Sequence, residues 1–316
     1  MEKIKVVYFG TPEFAVPPLA ALTEAEDIEV VAVVTQEDKP VGRKQELTAP
    51  PVKKQAELDM IPVLQPKSLR NNQEIVDLLK GLDADVFAVV AYGKILPQEI
   101  LDIPKYGCVN LHGSLLPQYR GASPVEEALL HGDTQTGITF IKMTPELDAG
   151  DILLIQRQII EPTDTSVTLR QKLSALGAIL FPDLLRNLVD ETISAIPQNH
   201  TNATFCHKIR KEDGLIDVYK ESAEQIINKI RAYTPWPSCY LLVKDKRLRV
   251  LEAVADPTSN AAKPGDILGG KDDQGKPTLG IQTQKGALWL QKVQLEGKNA
   301  TSIQDFMRGN ASFFSV

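Results

Sequence analysis

The sequence CVNLHGSLLPQYRG, residues 108–121, begins as an apolar strand and continues into a turn of small residues. Side chains alternate between the two faces of a strand, so Asn110 and His112 are expected to point the same way, about two strand residues apart. Gly113 and Ser114 then let the chain leave the strand without covering those side chains. The stretch therefore predicts an amide and an imidazole that project together from the end of one strand.

The residues around this stretch alternate between strand-like and helix-like patterns. Nearly continuous apolar runs of strand length fit strands that are covered on both faces; they occur at 4–9, 28–35, 85–92, 107–112 and 137–143. Helical patterns occur at about 17–25, 72–82, 123–132 and 167–188. Such alternation indicates βαβ units and an α/β fold: a Rossmann-like, twisted, mainly parallel sheet with helices on both faces.

The C-terminal part of the chain has a different pattern. After residue 206, short and partly alternating strands are separated by glycine and proline, which predicts a small antiparallel barrel or sandwich. Residues 191–205 have poor periodicity and several turn formers. We therefore predict a domain at 1–189, a linker at 190–205 and a second domain at 206–316. A short last helix is expected within 301–310, with a capping box at Thr301 and Gln304.

Charge is distributed unevenly between the two parts. Residues 1–205 carry 18 Lys+Arg against 28 Asp+Glu, whereas residues 206–316 carry 17 against 13. A basic second part suggests a polyanionic partner, although an uneven, solvated surface would give the same totals. The cationic residues near its start and on one strand are Arg210, Lys211, Lys244, Lys246, Arg247 and Arg249.

Composition excludes several other classes of protein. No apolar run approaches the ~18–20 residues of a membrane span, and the N-terminus lacks a signal-peptide core. The three cysteines, Cys108, Cys206 and Cys239, are widely spaced and form no metal-ligand pattern with histidine. We therefore expect a cytoplasmic protein without a disulfide framework and without a metal.

The strand that ends at His112 carries the candidate chemistry. Ligands of parallel α/β sheets bind beyond the carboxyl ends of the strands. An amide there can donate to a developing oxyanion, and an imidazole can move a proton near neutral pH. Leu115, Leu116 and Pro117 would form a stiff apolar wall suited to a flat heterocyclic ligand.

A carboxylate is needed to orient that imidazole and balance its charge. The best candidate is Asp148, in MTPELDAGDIL at 143–153, because the Ala-Gly that follows lets its loop approach closely. Glu146 and Asp151 are the alternatives. Capping of a turn is the commoner role for an aspartate in such a loop.

These residues also resemble a known family. The run from Asn110 to Leu153 is similar to formyltransferases that use 10-formyltetrahydrofolate, with their Asn-x-His pair, Ser-Leu-Leu-Pro loop and distal Asp in an LDAGDI context. That shared core leaves several acceptors open. Three further stretches, VVYFGTPEFAVPPL (6–19), CHKIRKEDGLIDV (206–218) and IRAYTPWPSCYL (230–241), resemble the methionyl-tRNA formyltransferase family. The resemblance covers essentially the whole chain.

The resemblance implies roles for individual residues. It implies a catalytic trio of Asn110, His112 and Asp148, and a folate-binding loop of Ser114, Leu115, Leu116 and Pro117. It implies an OB-like β-barrel as the second domain and a basic loop at 36–54 that inserts into the tRNA acceptor stem. In that loop the expected tRNA contacts are Arg43 and Lys44; the clustering of charge in the second part adds Arg210, Lys211, Lys246 and Arg247, which we expect to contact phosphates. The implied substrates are 10-formyltetrahydrofolate and initiator methionyl-tRNA, and the chain is expected to act as a monomer without a metal.

Other functions share parts of this pattern. A formyltetrahydrofolate hydrolase would use the same trio with water as acceptor, and a sugar-nucleotide N-formyltransferase would use an amino sugar. A non-catalytic RNA-binding protein on the same fold would have no need of the intact trio. A nicotinamide dehydrogenase is disfavoured because GTPEFA, which follows the first strand, lacks the Gly-x-Gly-x-x-Gly turn.

Overall fold

The computed structural model describes residues 2–42, 45–260, 262–271, 275, 277–310 and 313–314. The chain folds into two compact units, each assembled from three segments of the sequence. The first unit contains Met1–Pro124, Gln135–Ile159 and Arg170–Cys206. The second contains Val125–Thr134, Ile160–Leu169 and His207–Val316.

The helices and strands of the described residues have the following bounds. The α-helices are α1 Val16–Glu24, α2 Pro51–Leu58, α3 Gln73–Gly81, α4 Gln98–Leu101, α5 Pro124–Leu130, α6 Ser166–Val189, α7 Ala223–Ala232 and α8 Ile303–Gly309. Short 3-10 helices lie at Glu13–Ala15, His200–Asn202 and Lys211–Gly214. The strands of the first unit are β1 Ile4–Gly10, β2 Ile28–Val34, β3 Lys39–Val41, β4 Glu46–Thr48, β5 Val63–Leu64, β6 Val86–Val90, β7 Cys108–His112, β8 Arg120–Gly121, β9 Gln135–Lys142, β10 Ile152–Ile159 and β11 Phe205–Cys206. Those of the second are β12 Cys239–Val243, β13 Lys246–Asp256, β14 Ile267–Lys271, β15 Pro277–Gln282, β16 Ala287–Leu295 and β17 Thr301–Ser302.

The first unit is built on a mixed sheet of Rossmann-like type. Its order is β10-β9-β7-β6-β1-β2-β5. The strands from β7 to β5 are parallel, whereas β9 runs antiparallel to β7 and β10 runs antiparallel to β9. The central strands are buried along nearly their whole length, as their continuous apolar sequences predict.

Helices cover both faces of this sheet. Val7, Phe9 and Cys108 share one core cluster with residues of α3, on one face. On the other face, α6 packs so closely that a Cβ on Gly177 would collide with Leu111. Because alternate residues share a face, Asn110 and His112 lie on the face of Cys108, opposite α6. The alternation thus directs both polar side chains away from the long helix.

The second unit contains an antiparallel sheet. Its strands run in the order β12-β13-β16-β15-β14, and the short β17 pairs with β16. Helix α7 contacts β13 and β16, and α8 contacts β15 and β16. Among the described residues, no helix combines the length and apolarity needed to cross a membrane.

Three local features differ from the sequence-based expectation. The segment 36–54 contains the β3–β4 hairpin and the first turn of α2, which has proline at its start. Strand β10 follows the Asp148 loop and was missed because its residues are half-exposed or exposed on an edge strand. The N-cap of α8 is Ser302, whose hydroxyl accepts from the Asp305 amide, so the predicted capping box at Thr301 and Gln304 was wrong by one residue.

Candidate active site

The imidazole of His112 lies against the carboxylate of Asp148. His112 ends β7 and is 5% exposed, and its Nδ1 is 3.7 Å from Asp148 Oδ2. The same Oδ2 accepts a hydrogen bond of 2.8 Å from the Gly121 amide. The structure therefore places the predicted carboxylate at ion-pair distance from the predicted imidazole.

The other ring nitrogen of His112 fixes the proton arrangement. Nε2 is 2.9 Å from the carbonyl oxygen of Tyr119. A carbonyl oxygen only accepts, so Nε2 must carry the hydrogen of this bond. In neutral His112 the lone pair is therefore at Nδ1, the atom that faces Asp148. A proton gained by the ring therefore binds at Nδ1, 3.7 Å from Asp148 Oδ2.

Asn110 occupies the same strand face as His112 and is half-buried. Within the described part of the chain, its carboxamide makes no hydrogen bond. Its strand neighbours in register are Val89 on β6 and Ile141 on β9, both apolar. The amide is therefore available to a ligand. The two rival carboxylates, Glu146 and Asp151, are exposed.

The loop after β7 is held in shape by Thr139 of β9. Thr139 pairs with His112 in the β-ladder, and its buried hydroxyl donates to the Ser114 carbonyl while accepting from the Leu116 amide. The Ser114 hydroxyl is itself buried and donates to the carbonyl of Gln118. In this loop Ser114 and Leu116 are buried, whereas Leu115 and Pro117 are half-buried. Thr139 was not predicted, because only the strand register brings it to this loop.

A cavity of about 570 Å³ lies in the first unit, and none of its lining residues belongs to the trio Asn110, His112 and Asp148. Most of its walls follow β6 in the chain, whereas Pro145 follows β9, whose carboxyl end lies at the opposite edge of the sheet from His112 because β9 is antiparallel to β7. It is lined by Arg70, Asn71, Ile95, Leu96, Pro97, Gln98, Glu99 and Pro145. Pro145 belongs to the loop that carries Asp148. Sequence reasoning missed this lining because its residues form no motif.

The loop that carries Asp148 is sterically restricted. Asp148 itself has a positive φ of 49°, a conformation that L-residues rarely adopt. At Gly150, a Cβ atom would collide with the carbonyl of Lys142, so only glycine fits. Glycine at position 150 is therefore required by packing, in agreement with the predicted close approach of this loop.

Cys108 is excluded as a nucleophile of this site. It is 2% exposed and lies in the core on the same strand as Asn110. Burial raises the pKa of its thiol to about 12, so the thiolate is scarce at neutral pH. Among the described residues, no group of three or more His, Cys, Asp and Glu side chains is arranged to hold a metal ion.

Comparison with known proteins identifies the family. The formyl transferase profile matches residues 2–185, and the profile of the formyl transferase C-terminal domain matches residues 208–311. A methionyl-tRNA formyltransferase of Sulfurihydrogenibium sp. is 40% identical over 306 residues, covering 97% of both chains. One from Listeria monocytogenes is 44% identical over 306 residues, covering 96% of this chain and 95% of its own. The chain belongs to the methionyl-tRNA formyltransferase family.

Solved structures share the fold at low sequence identity. HypX from Aquifex aeolicus in complex with tetrahydrofolic acid has a TM-score of 0.59 and 15% identity, covering 98% of this chain and 47% of its own. An N-formyltransferase from Helicobacter canadensis, in complex with folinic acid and dTDP-3-aminofucose, has a TM-score of 0.63 and 16% identity, covering 92% and 99%. At these low sequence identities, the similarity to both structures shows a shared fold and nothing about function.

The cationic residues predicted to contact tRNA have different surroundings. Arg43 and Lys44 lie outside the described residues. In the same segment, Lys53 is paired with Asp38 at 2.9 Å and bound to Gln65, so its charge is neutralised. In the second unit, the side chains of Arg210, Lys211, Lys246 and Arg247 are exposed. None of these four forms an ion pair within the described part of the chain.

Proposed function

We propose that the protein transfers a formyl group from 10-formyltetrahydrofolate to the α-amino group of methionyl initiator tRNA. The observation that carries the proposal is the arrangement at the end of β7, in a chain of this family. An imidazole paired to a carboxylate shares one face of the sheet with a carboxamide that makes no hydrogen bond among the described residues. Acyl transfer to an amine needs these two functions, a proton acceptor and an oxyanion donor.

The residues beside His112 suit a folate. The loop of Ser114, Leu115, Leu116 and Pro117 forms an apolar surface beside His112. We infer that Ser114 acts by shaping this loop, because its hydroxyl is committed to Gln118. The bound folate supplies an activated formyl group.

Proton transfer is assigned to His112 Nδ1. The attacking amine must be neutral, which is readily reached because free α-amino groups titrate at about 7.7–8.0. Nε2 keeps its hydrogen for the Tyr119 carbonyl, so Nδ1 accepts the proton that the amine loses. Asp148 balances the resulting imidazolium across 3.7 Å. The same atom can return the proton to the leaving nitrogen, directly or through water.

Asn110 is assigned to the negative charge that develops on the formyl oxygen. Its amide group makes no hydrogen bond among the described residues, so it can donate to that oxygen without first giving up such a bond. A donor that is already oriented costs no reorganisation when charge develops, which is why such groups contribute strongly to acyl transfer. Asn110, His112 and Asp148 thereby have three separate tasks.

The second unit is proposed to bind the tRNA. Arg210 and Lys211 precede a segment that pairs beside β12, since Leu215 bridges to Tyr240, and β12 in turn pairs with β13, which carries Lys246 and Arg247. The four cations therefore stand on neighbouring segments of one unit. The Arg247 guanidinium also lies 4.8 Å from the centre of the Tyr240 ring. We infer that these side chains contact phosphates.

Several finer predictions accompany this proposal. We propose that the antiparallel sheet of the second unit forms an OB-like barrel, and that Arg43 and Lys44 reach the acceptor stem. The division at 1–189, 190–205 and 206–316, the monomeric state, the cytoplasmic location and the absence of a metal also stay predictions. The segment 190–205 does make ordered contacts within the first unit, where Ile196 bridges to Ile152.

The fate of the formyl group distinguishes this function from the alternatives. The protein is incubated with folate carrying a labelled formyl group, with and without methionyl initiator tRNA, and label is measured on the tRNA and as free formate. We expect label on the methionine amine and little formate when tRNA is omitted. Formate release without tRNA would indicate a hydrolase, and label on neither would indicate a non-catalytic protein. A dTDP-amino sugar as acceptor tests the sugar-nucleotide alternative.

A further inference from the structure

Gln198 lies in the segment that connects the regions matched by the two family profiles, 2–185 and 208–311. By sequence this segment is expected to be a linker. In the structure Gln198 is 5% exposed, and its side chain makes contacts at both ends. A buried glutamine in a connecting segment needs a partner for each polar atom. Two of its partners belong to the loop of Asp148.

The amide nitrogen of Gln198 holds the backbone on both sides of Ala149. Nε2 donates to the carbonyl of Asp148 at 2.8 Å and to the carbonyl of Gly150 at 2.7 Å. Asp148 has the positive φ described above, so its backbone would otherwise relax towards a commoner conformation. The two bonds therefore oppose that relaxation and fix the direction in which the Asp148 carboxylate points.

The amide oxygen of Gln198 is held by Arg120. Its Oε1 accepts from Arg120 Nε at 3.2 Å and from Nη2 at 2.6 Å, and Nη2 also donates to His200 Nδ1 at 3.1 Å. Arginine only donates and backbone carbonyls only accept, so the four contacts of Gln198 require the same orientation of the amide. The buried guanidinium thus locks Gln198 with its two donors towards the Asp148 loop.

The backbone beside Arg120 touches both reacting groups. The Tyr119 carbonyl accepts from His112 Nε2, and the Gly121 amide donates to Asp148 Oδ2. Strand β8, which contains Arg120, pairs with β11 of the connecting segment. The imidazole and carboxylate are therefore positioned by one short stretch, 119–121, and Gln198 joins that stretch to the loop of Asp148.

We propose that Gln198 is a positioning residue that keeps the Asp148 carboxylate against His112. The kinetic tests of this role rest on the proposed function, because they measure formyl transfer. Gln198 is not assigned a contact with either substrate: it acts through the backbone of Asp148 and Gly150. Its removal should therefore lower kcat through Asp148 and leave substrate binding unchanged.

The first test is Gln198→Glu, which keeps the shape and the contact to Arg120 but cannot donate to the two carbonyls. We expect kcat for formyl transfer to fall roughly 10- to 100-fold, the effect of a displaced catalytic group, with KM for tRNA and folate unchanged. Gln198→Met, which removes the donors without adding a charge, should give the same loss. Gln156→Glu, the same change at an exposed position on β10, should keep wild-type kcat. Wild-type kcat in both Gln198 variants would overturn the proposal.

A double-mutant comparison separates positioning from a general loss of structure. In an Asp148→Ala background, Gln198→Glu should cause no further loss of kcat, because its effect passes through the missing carboxylate. A loss of the same size in both backgrounds would overturn the proposal. Amide exchange of Gly121, measured by NMR, gives a readout that needs no activity. The Gly121 amide should exchange faster in Gln198→Glu than in wild type, and unchanged exchange would contradict the proposal even if the wild type formylated no tRNA.

Discussion

At the scale of single residues, His112 is held from two opposite sides of its ring. Nε2 donates to a backbone carbonyl that cannot titrate, whereas Nδ1 faces a carboxylate that shares its Oδ2 with a backbone amide. The ring cannot exchange the roles of its nitrogens without losing the bond to Tyr119. This geometry leaves Nδ1 as the ring nitrogen that can accept a proton.

Substitution of His112 tests that assignment. His112→Ala should lower the single-turnover rate of formyl transfer by roughly 10²–10⁴ while folate affinity is retained, because a general base acts on the chemical step. The matched control is His131→Ala, whose side chain is 56% exposed and has no part in the proposed chemistry. A change confined to folate affinity would make His112 a binding residue.

Substitution of Asn110 tests the oxyanion donor separately. Asn110→Ala should reduce turnover by roughly 10²–10³ because the lost hydrogen bond forms only as charge develops. The KM for each substrate should change little, since ground-state binding does not use this bond. Turnover is measured beside the melting temperature of the variant. Wild-type turnover in a folded variant would remove Asn110 from the mechanism.

The candidate site could be predicted from the sequence only as far as local geometry extends. That Asn110 and His112 share a face follows from strand alternation, which is a property of neighbouring residues. The contact of His112 with Asp148 depends on β9 and the loop after it, and no periodicity specifies where that loop ends. Thr139, Arg120 and Gln198 were missed for the same reason, because each is an ordinary polar residue until the fold brings it to the site.

At the scale of elements, the connection between β9 and β10 has little steric freedom. Gly150→Ala would place a Cβ against the Lys142 carbonyl, so the loop must shift. We expect a loss of roughly 1–3 kcal/mol in the free energy of unfolding, as for other overpacked sites, together with reduced kcat because Asp148 moves. Urea unfolding and turnover measure the two effects.

Gly81→Ala is the control for that substitution. Gly81 ends α3, and a Cβ there meets no atom within 4 Å. Alanine should leave kcat unchanged and stabilise the chain slightly, by up to about 1 kcal/mol. Equal effects of the two substitutions would show that the steric explanation of the β9–β10 loop is wrong.

The regular elements of the first unit were largely predictable, and the exceptions have physical causes. Strands such as β1 and β6 are largely buried on both faces and therefore mainly apolar, and α6 has a long helical pattern. Strand β10 lies at the edge of the sheet, where half of its residues are exposed. Helix α2 begins inside a segment that is rich in charged residues and proline. Edge strands and short helices owe their existence to tertiary pairing more than to their own sequence.

At the scale of the whole molecule, the excess of positive charge after residue 206 corresponds to exposed side chains. Lys246, Arg247 and Arg249 are exposed on β13 while Leu248 and Val250 of the same strand are buried. Composition alone allowed a solvated surface without a partner. The exposure of these cations on neighbouring segments favours binding of a polyanion. The surface does not specify which polyanion binds, and the proposal of tRNA is based on the family.

Salt dependence tests the tRNA surface. Lys246→Gln/Arg247→Gln should weaken binding of initiator tRNA and reduce the slope of log K against log salt by about one per lost phosphate contact. Lys3→Gln/Lys80→Gln removes two exposed charges from the first unit and should leave the slope unchanged. An unaltered slope in the first variant would place the tRNA site elsewhere.

The arrangement of Asn110, His112 and Asp148 around one carbon atom is tested most directly by a crystal structure of the protein with an unreactive folate analogue that carries a carbonyl group at N10. We predict that the Asn110 amide nitrogen lies about 3 Å from the carbonyl oxygen, the distance of an oxyanion donor, with His112 and Asp148 beside the carbonyl carbon. An analogue bound with its carbonyl group away from all three side chains would contradict this arrangement.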